Sequence, residues 1–229
     1  MKTQRRTPTT NVRARPLPDS VRRFVERRAD NLSSAYEAWQ ESDDDEFNEF
    51  ADVETPKEFY DREKNIILDH DAYRWWVEES ERTVACLGRT FEGDWIFDDR
   101  RGVVIKFQPW LGADSHSSNR SANVLALEAW EQAVEQGDDD LFATVYDYGE
   151  DASWIAAEFC TPIYPHGGSH TSPPYESLSD FEGNEYINPF IERFESRGWS
   201  GNYKNGNVGL ADNGDVVLLD AGGHTSSSQ

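Results

Sequence analysis

Apolar and polar positions divide the chain into a helical N-terminal part and a strand-rich remainder. Val21, Phe24, Val25, Leu32, Tyr36 and Trp39 recur partly at helical spacing, and Asp19 stands where a cap belongs. This predicts a helix over Ser20–Gln40. After an acidic break at residues 41–46, Thr55-Pro56-Lys57-Glu58 supplies the cap, first-turn proline and following glutamate of a second helix. A third is predicted over Asp71–Glu81, with Trp75 and Trp76. From residue 84 the texture changes. Val84–Leu87, Asp94–Phe97 and Val103–Phe107 read as short strands. Ala122–Gln136 reads as a helix, with Leu125, Ala129 and Gln132 on one stripe. Phe142–Tyr148 and Ser153–Phe159 read as strands joined at Gly149-Glu150-Asp151, followed by a polar, Pro- and Gly-rich loop over Thr161–Asp180. Asn188-Pro189 opens a helix with Phe190, Ile191 and Phe194 on its apolar face, and Gly198 ends it. Asn207–Leu210 and Val216–Asp220 flank Asp212-Asn213-Gly214, a hairpin signal.

Composition changes this picture in two ways. First, aromatic residues make up 13% of the 229 positions, so large rings can build a core in a polar chain. Second, 44 acids face 22 bases, a formal net charge of −22. Such a surface repels nucleic acid, anionic membranes and itself. At about 1 M salt the screening length is only about 3 Å, so the self-repulsion largely vanishes. The expectation is a cytoplasmic protein of a salt-loving host, or of a virus of one. No stretch of eighteen apolar residues predicts a membrane span. Cys86 and Cys160 match no metal-ligand spacing and read as buried free thiols.

Charge is unevenly spread. Residues 1–28 hold nine bases and two acids, a net of +7 that leaves −29 for the rest. Residues 1–18 lack apolar periodicity and are expected to form a disordered basic arm. The arm lacks aromatic interleaving and any nucleic-acid motif, so contact with the acidic body is the favoured role. Residues 19–83 form the helical N-terminal extension, 84–223 the main domain and 224–229 a disordered tail.

Lys106 is the sharpest residue. It is one of five lysines and lies inside Val-Val-Ile-Lys-Phe, a β-branched run where a charge needs a partner or a solvated site. Gly88-Arg-Thr-Phe-Glu-Gly93 lies between the first two predicted strands of this domain, and glycines there let backbone N–H groups approach an anion. Asn202-Tyr-Lys-Asn-Gly-Asn207 precedes the hairpin, and Leu-Leu-Asp220-Ala-Gly222 ends it. The order of three strands, helix, two strands, loop, helix and hairpin resembles the protein-kinase fold over 84–223. The implied class is α+β: a kinase-like N-lobe antiparallel sheet with its helix plus a minimal, truncated C-lobe. The resemblance implies that Lys106 grips ATP phosphates and pairs with a helix glutamate, Glu128 or Glu131. It implies that Gly88 and Gly93 line the phosphate loop, with Trp95 over the base. Backbone groups near Glu158–Cys160 would meet the adenine edge. Asn207 and Asp220 would hold Mg²⁺, whose preference for oxygen ligands they suit.

The pattern departs from the family at Asn202, which stands where kinases have the catalytic Asp. A carboxamide cannot accept the hydroxyl proton, although positioning and charge stabilisation carry most of phosphoryl transfer. The sequence ends nine residues after Asp220, with no activation segment or large helical lobe. Three functions compete: an impaired ATP-dependent phosphotransferase acting on a protein or small-molecule acceptor, a pseudokinase regulatory module, and an acidic structural or virion-associated protein without nucleotide. The charge balance makes one prediction independent of that choice. In dilute buffer the protein loses its cooperative thermal transition, followed by circular dichroism, and in about 1 M salt the transition returns.

Overall fold

The computed structural model describes residues 15–41, 73–78, 83–90, 92–98, 102–108, 122–162, 187–200, 208–219 and 225–226. The fold is mixed α and β, built on an antiparallel sheet as the pattern predicted. Helix α1 spans Asp19–Glu41. Strands β1 (Tyr73–Glu78), β2 (Thr83–Leu87) and β3 (Val103–Phe107) come next, then α2 (Ala122–Gln136). Strands β4 (Val145–Tyr148), β5 (Trp154–Glu158) and β6 (Thr161–Pro162) precede α3 (Ile187–Ser196). Strands β7 (Trp199–Ser200), β8 (Val208–Leu210), β9 (Val216–Leu218) and β10 (Thr225–Ser226) complete the order. Among the described residues, no helix is long and apolar enough to cross a membrane.

The main sheet has five strands in the order β1-β2-β3-β5-β4, with β3 at its centre. Its two faces are covered by different elements, because successive strand residues point in opposite directions. On one face, Leu87, Val103, Ile105, Phe107, Trp154 and Ala156 pack with Val21, Phe24, Val25, Ala29 and Leu32 of α1. On the other, Tyr148, Ile155 and Ala157 pack with Ala126, Leu127, Ala129, Trp130 and Ala133 of α2. Phe142 packs edge-on against Trp199 at 4.9 Å and beside Phe194 at 5.8 Å, tying α3 and β7 to the same core. Arg197, which ion-pairs with Asp138 and Asp140, and Trp199, whose Nε1 donates to Asp138 at 2.8 Å, fasten that end to the turn after α2. Gly137 supplies the left-handed stop there (φ 76°), and Asp138 N–H returns to the Ala133 carbonyl.

A second sheet, β6-β8-β9, carries the predicted hairpin. Its turn closes through Ala211 N–H to Asp215 O at 2.9 Å and Gly214 N–H to Ala211 O at 3.0 Å, with Gly214 at φ 88°. β9 joins the rest of the fold by a parallel bridge between Phe142 and Leu218, with Ala143 N–H donating to Leu218 O at 2.9 Å. The segment Phe159–Cys160 connects β5 of the large sheet directly to β6 of the small one. Cys86 and Cys160 are buried and not joined to each other in a disulfide, as expected.

Four expectations are corrected. The described part of the helix expected over Asp71–Glu81, residues 73–78, is a strand. This strand, β1, pairs antiparallel with β2 from Tyr73↔Leu87 to Glu78↔Thr83. The β-branched and aromatic content of Tyr-Arg-Trp-Trp-Val-Glu suits a pleated surface better than a helix. The sheet therefore begins at residue 73, inside the segment assigned to the helical extension. Asp94–Phe97 is not a strand: only Trp95 makes a bridge, to Arg89, because the chain reverses at Gly93 (φ 93°). The end of the basic arm is packed, since Leu17 is buried and Arg15 lies over the Phe97 ring at 4.1 Å. Asp19 is the first helical residue rather than the cap; Arg22 N–H donates to Pro18 O. The second predicted helix start, at Thr55, lies outside the described residues.

Asp147 on β4 anchors α1. Its carboxylate is fully buried, accepts from Leu17 N–H at 3.3 Å and Tyr148 N–H at 2.9 Å, and meets Arg22 Nη1 at 3.5 Å. Arg22→Met keeps the aliphatic stem and removes the cation from a buried anion. It is expected to lower stability by about 1–3 kcal/mol in denaturant unfolding at constant molar salt.

Candidate functional site

Lys106 sits on the central strand, paired with Val84 on one side and Ile155 on the other. Its side chain points to the α2 face of the sheet, and the residue is only 8% exposed. The ammonium donates to the Leu219 carbonyl at 2.5 Å. Leu219 follows β9 and immediately precedes Asp220. Two segments 113 positions apart in sequence thus meet at this ammonium. The bridge of Leu218 to Phe142 fixes where the carbonyl arrives.

Around the contact is a cavity of about 20 Å³, walled by Ala126 and Trp130 of α2, Ile155 and Ala157 of β5, and Phe142, Leu218 and Leu219. That is room on the scale of one water, against several hundred cubic ångströms for a typical small-molecule site. Among the described residues, Lys106 is its only charged wall residue. In this conformation the ammonium serves the hairpin, and a phosphate reaching it has to displace the Leu219 carbonyl.

The wall of α2 turned toward Lys106 is Ala126 and Trp130, four positions apart and so on one face of the helix. Glu128 is exposed. The Glu131 carboxyl is pushed above its ordinary range, first by partial burial and then by the charges of Glu135 and Glu128. An ammonium partner would act in the opposite direction. The structure therefore presents an apolar stripe, not either glutamate, to the lysine.

Gly88 and Gly93 lie on the connection between β2 and β3, because β1 precedes them; they do not lie between the first two strands. Within that connection a turn is closed by Thr90 N–H donating to Asp94 O at 2.7 Å and Gly93 N–H to Thr90 O at 3.0 Å. These amides are used within the turn, and neither glycine lines the Lys106 cavity. The segment between β1 and β2 is Glu79-Ser80-Glu81-Arg82, without glycine. The Trp95 ring is covered by Arg89, 4.5 Å from its centroid. Glu158 ends β5, and its N–H donates to Thr144 O at 2.8 Å. Asn202, Asn207 and Asp220 lie outside the described residues.

Two residues that the sequence reading passed over support the site. Asn123 and Gln108 are completely buried. Asn123 Nδ2 donates to Lys106 O at 3.0 Å and to Ala152 O at 2.9 Å, and Asn123 N–H donates to Gln108 Oε1 at 2.7 Å. Asparagine in the first turn of a helix is a common local signal. Nothing in the sequence indicated that its partners lie on and just after β3 and in the β4–β5 turn.

No protein-family model matches the chain, and no curated protein matches it in sequence.

The Glu131 shift has a measurable consequence. A carboxyl raised above its ordinary 4.5 favours the protonated form in the fold, so its ionisation costs stability as pH rises through the raised value. Glu131→Gln is expected to raise the melting midpoint at pH 7 and to give no gain near pH 4. Because the group is half exposed, the gain is a fraction of about 1 kcal/mol.

Proposed function

We propose that the chain is a kinase-like nucleotide-binding module with a regulatory rather than catalytic role. The carrying observation is the contact of Lys106 with Leu219, which brings the one lysine of the strand core next to the segment that ends in Asp220. In the kinase resemblance these two positions hold the phosphates and the metal. Three features support the same reading. The helix follows the lysine strand, and two antiparallel strands follow the helix. The lysine strand lies between β2 and β5. A short connection leads from the large sheet to a smaller one that carries the hairpin.

The regulatory role follows from chemistry and space. Asn202 cannot take a proton from an acceptor hydroxyl. The lysine is engaged by a backbone carbonyl beside a cavity of about 20 Å³, so MgATP binds only if the hairpin end yields. The acid–amide pair of Asp220 and Asn207 suits Mg²⁺, which would neutralise phosphate charge there. The remaining anion-binding task falls to Lys106. This reading gives the glycine segment no part, because the Thr90 and Gly93 amides are used within the turn. A purely structural reading is favoured by one fact: among the described residues, the side chains that line the cavity beside Lys106 are apolar. In that reading the ammonium simply fastens the hairpin.

Thermal unfolding in molar salt separates these readings. With MgATP at about a hundred times its dissociation constant, a binding protein gains about 2.7 kcal/mol, several degrees in midpoint. Lys106→Met is expected to abolish the increment. No shift at millimolar MgATP leaves the structural reading. Asn202→Asp tests the role: magnesium-dependent phosphate transfer gained by that variant shows that the base alone was missing, and transfer by the unaltered protein overturns the regulatory assignment.

A further inference from the structure

We infer that Asn123 is the positioning residue for Lys106, locking α2 and β3 into one body so that a ligand can open the cavity from its hairpin side. The inference rests on the proposed role of Lys106 as the ligand-binding group and adds to it the residue that holds its main chain in place.

The geometry is specific. The Asn123 amide nitrogen sits between two carbonyl acceptors, that of Lys106 on β3 and that of Ala152 in the β4–β5 turn. Two carbonyls at 3.0 and 2.9 Å require a donor with two hydrogens, so the side chain is fixed as an amide with its nitrogen inward. The backbone N–H of the same residue, in the first turn of α2, is taken by Gln108 Oε1, one residue beyond the end of β3. Gln108 N–H in turn donates to Ser153 O at 2.8 Å. A single buried residue therefore ties a helix start, the lysine strand and a hairpin turn. Ala152 is the one non-glycine residue of positive φ (61°) among the described residues. Such a conformation persists where the surroundings over-determine it.

The consequence concerns which wall can move. Ala126 and Trp130 stand one and two turns along α2 from Asn123, and both face Lys106. With the helix start bonded to the Lys106 carbonyl, the spacing between this wall and the ammonium is set. On the opposite side the cavity is closed by Leu218 and Leu219. There the lysine bond to the Leu219 carbonyl and the bridge from Phe142 hold the hairpin end in place. An anionic ligand competes directly for that lysine bond. The Asn123 amide is also a donor, but it is completely buried and does not line the cavity, so the ligand meets the lysine and not the Nδ2–carbonyl bonds.

The test reads Lys106 itself and needs no nucleotide, so failure of MgATP binding leaves it interpretable. The full chain in molar salt is treated with acetic anhydride, and mass spectrometry gives the acetylation rate of Lys106 relative to Lys57 and Lys64. Asn123→Asp retains the shape but turns both donors into acceptors; Asn123→Leu removes the polar group. Both are expected to raise the relative rate at Lys106 by about tenfold or more, through easier local opening. Val25→Ala, a substitution in the α1 core on the opposite face of the sheet, is the control for general loss of stability. If Asn123→Leu does not fold, Asn123→Ser, which leaves a single donor, replaces it. Unchanged Lys106 labelling in the Asn123 variants overturns the inference. So does an equal rise in the control at a matched distance below its melting midpoint.

Discussion

A positive charge placed on the central strand of a sheet has to find acceptors inside the protein, and that requirement organises the fold around Lys106. Leaving an ammonium unsatisfied in an apolar wall costs several kilocalories per mole, so some oxygen must be brought to it. Here the oxygen is the Leu219 carbonyl, delivered by a hairpin from the far end of the chain. Delivery needs the Phe142–Leu218 bridge, which needs the turn after α2, which is pinned by Asp138 and Asp140 to Arg197 and Trp199. The aromatic cluster of Phe142, Phe194 and Trp199 packs at that junction. The buried cation thus adds a polar tie to a small sheet whose Val208, Val216 and Leu218 are packed in the main core.

The other face of the sheet solves a parallel problem with opposite sign. Asp147 is buried on β4, and α1 brings it an arginine and a backbone amide. The helix therefore gives both apolar cover, through Val21, Phe24, Val25 and Leu32, and a counter-charge. In a chain with twice as many acids as bases, the interior places its few cations at specific anions or carbonyls. The excess of acids is left to the surface, where salt rather than structure screens it.

Legibility followed signal strength. Val103–Phe107 and Ala122–Gln136 were read with the bounds that the structure has, because a β-branched run and a long periodic segment are the least ambiguous patterns. The hairpin at Asp212-Asn213-Gly214 was equally plain. Tyr73–Glu78 was misassigned because two adjacent tryptophans fit a helix face or a strand equally well in isolation, and only pairing with β2 decides. Misplacing that strand also misplaced the glycines, which shifted from the first strand connection to the second. The lysine was identified from its setting. Its expected glutamate partner was not placed, because helix phase relative to the sheet is not encoded in spacing along the helix. The roles of Asn123 and Gln108 were not legible, because their partners lie in segments distant in sequence, on β3 and in the β4–β5 turn.

The amino-acid sequence by itself determined the α+β class, the strand with its lysine, the helix after it and the terminal hairpin. Each of these rests on local periodicity or turn chemistry that a short window contains. Only the tertiary structure decided that Ala126 and Trp130, rather than Glu128, face the lysine, and that the ammonium is closed onto Leu219. It also decided that Asn123 joins three segments. These facts depend on the relative placement of elements distant in sequence, set by which apolar faces can be buried together and which buried polar atoms must be satisfied.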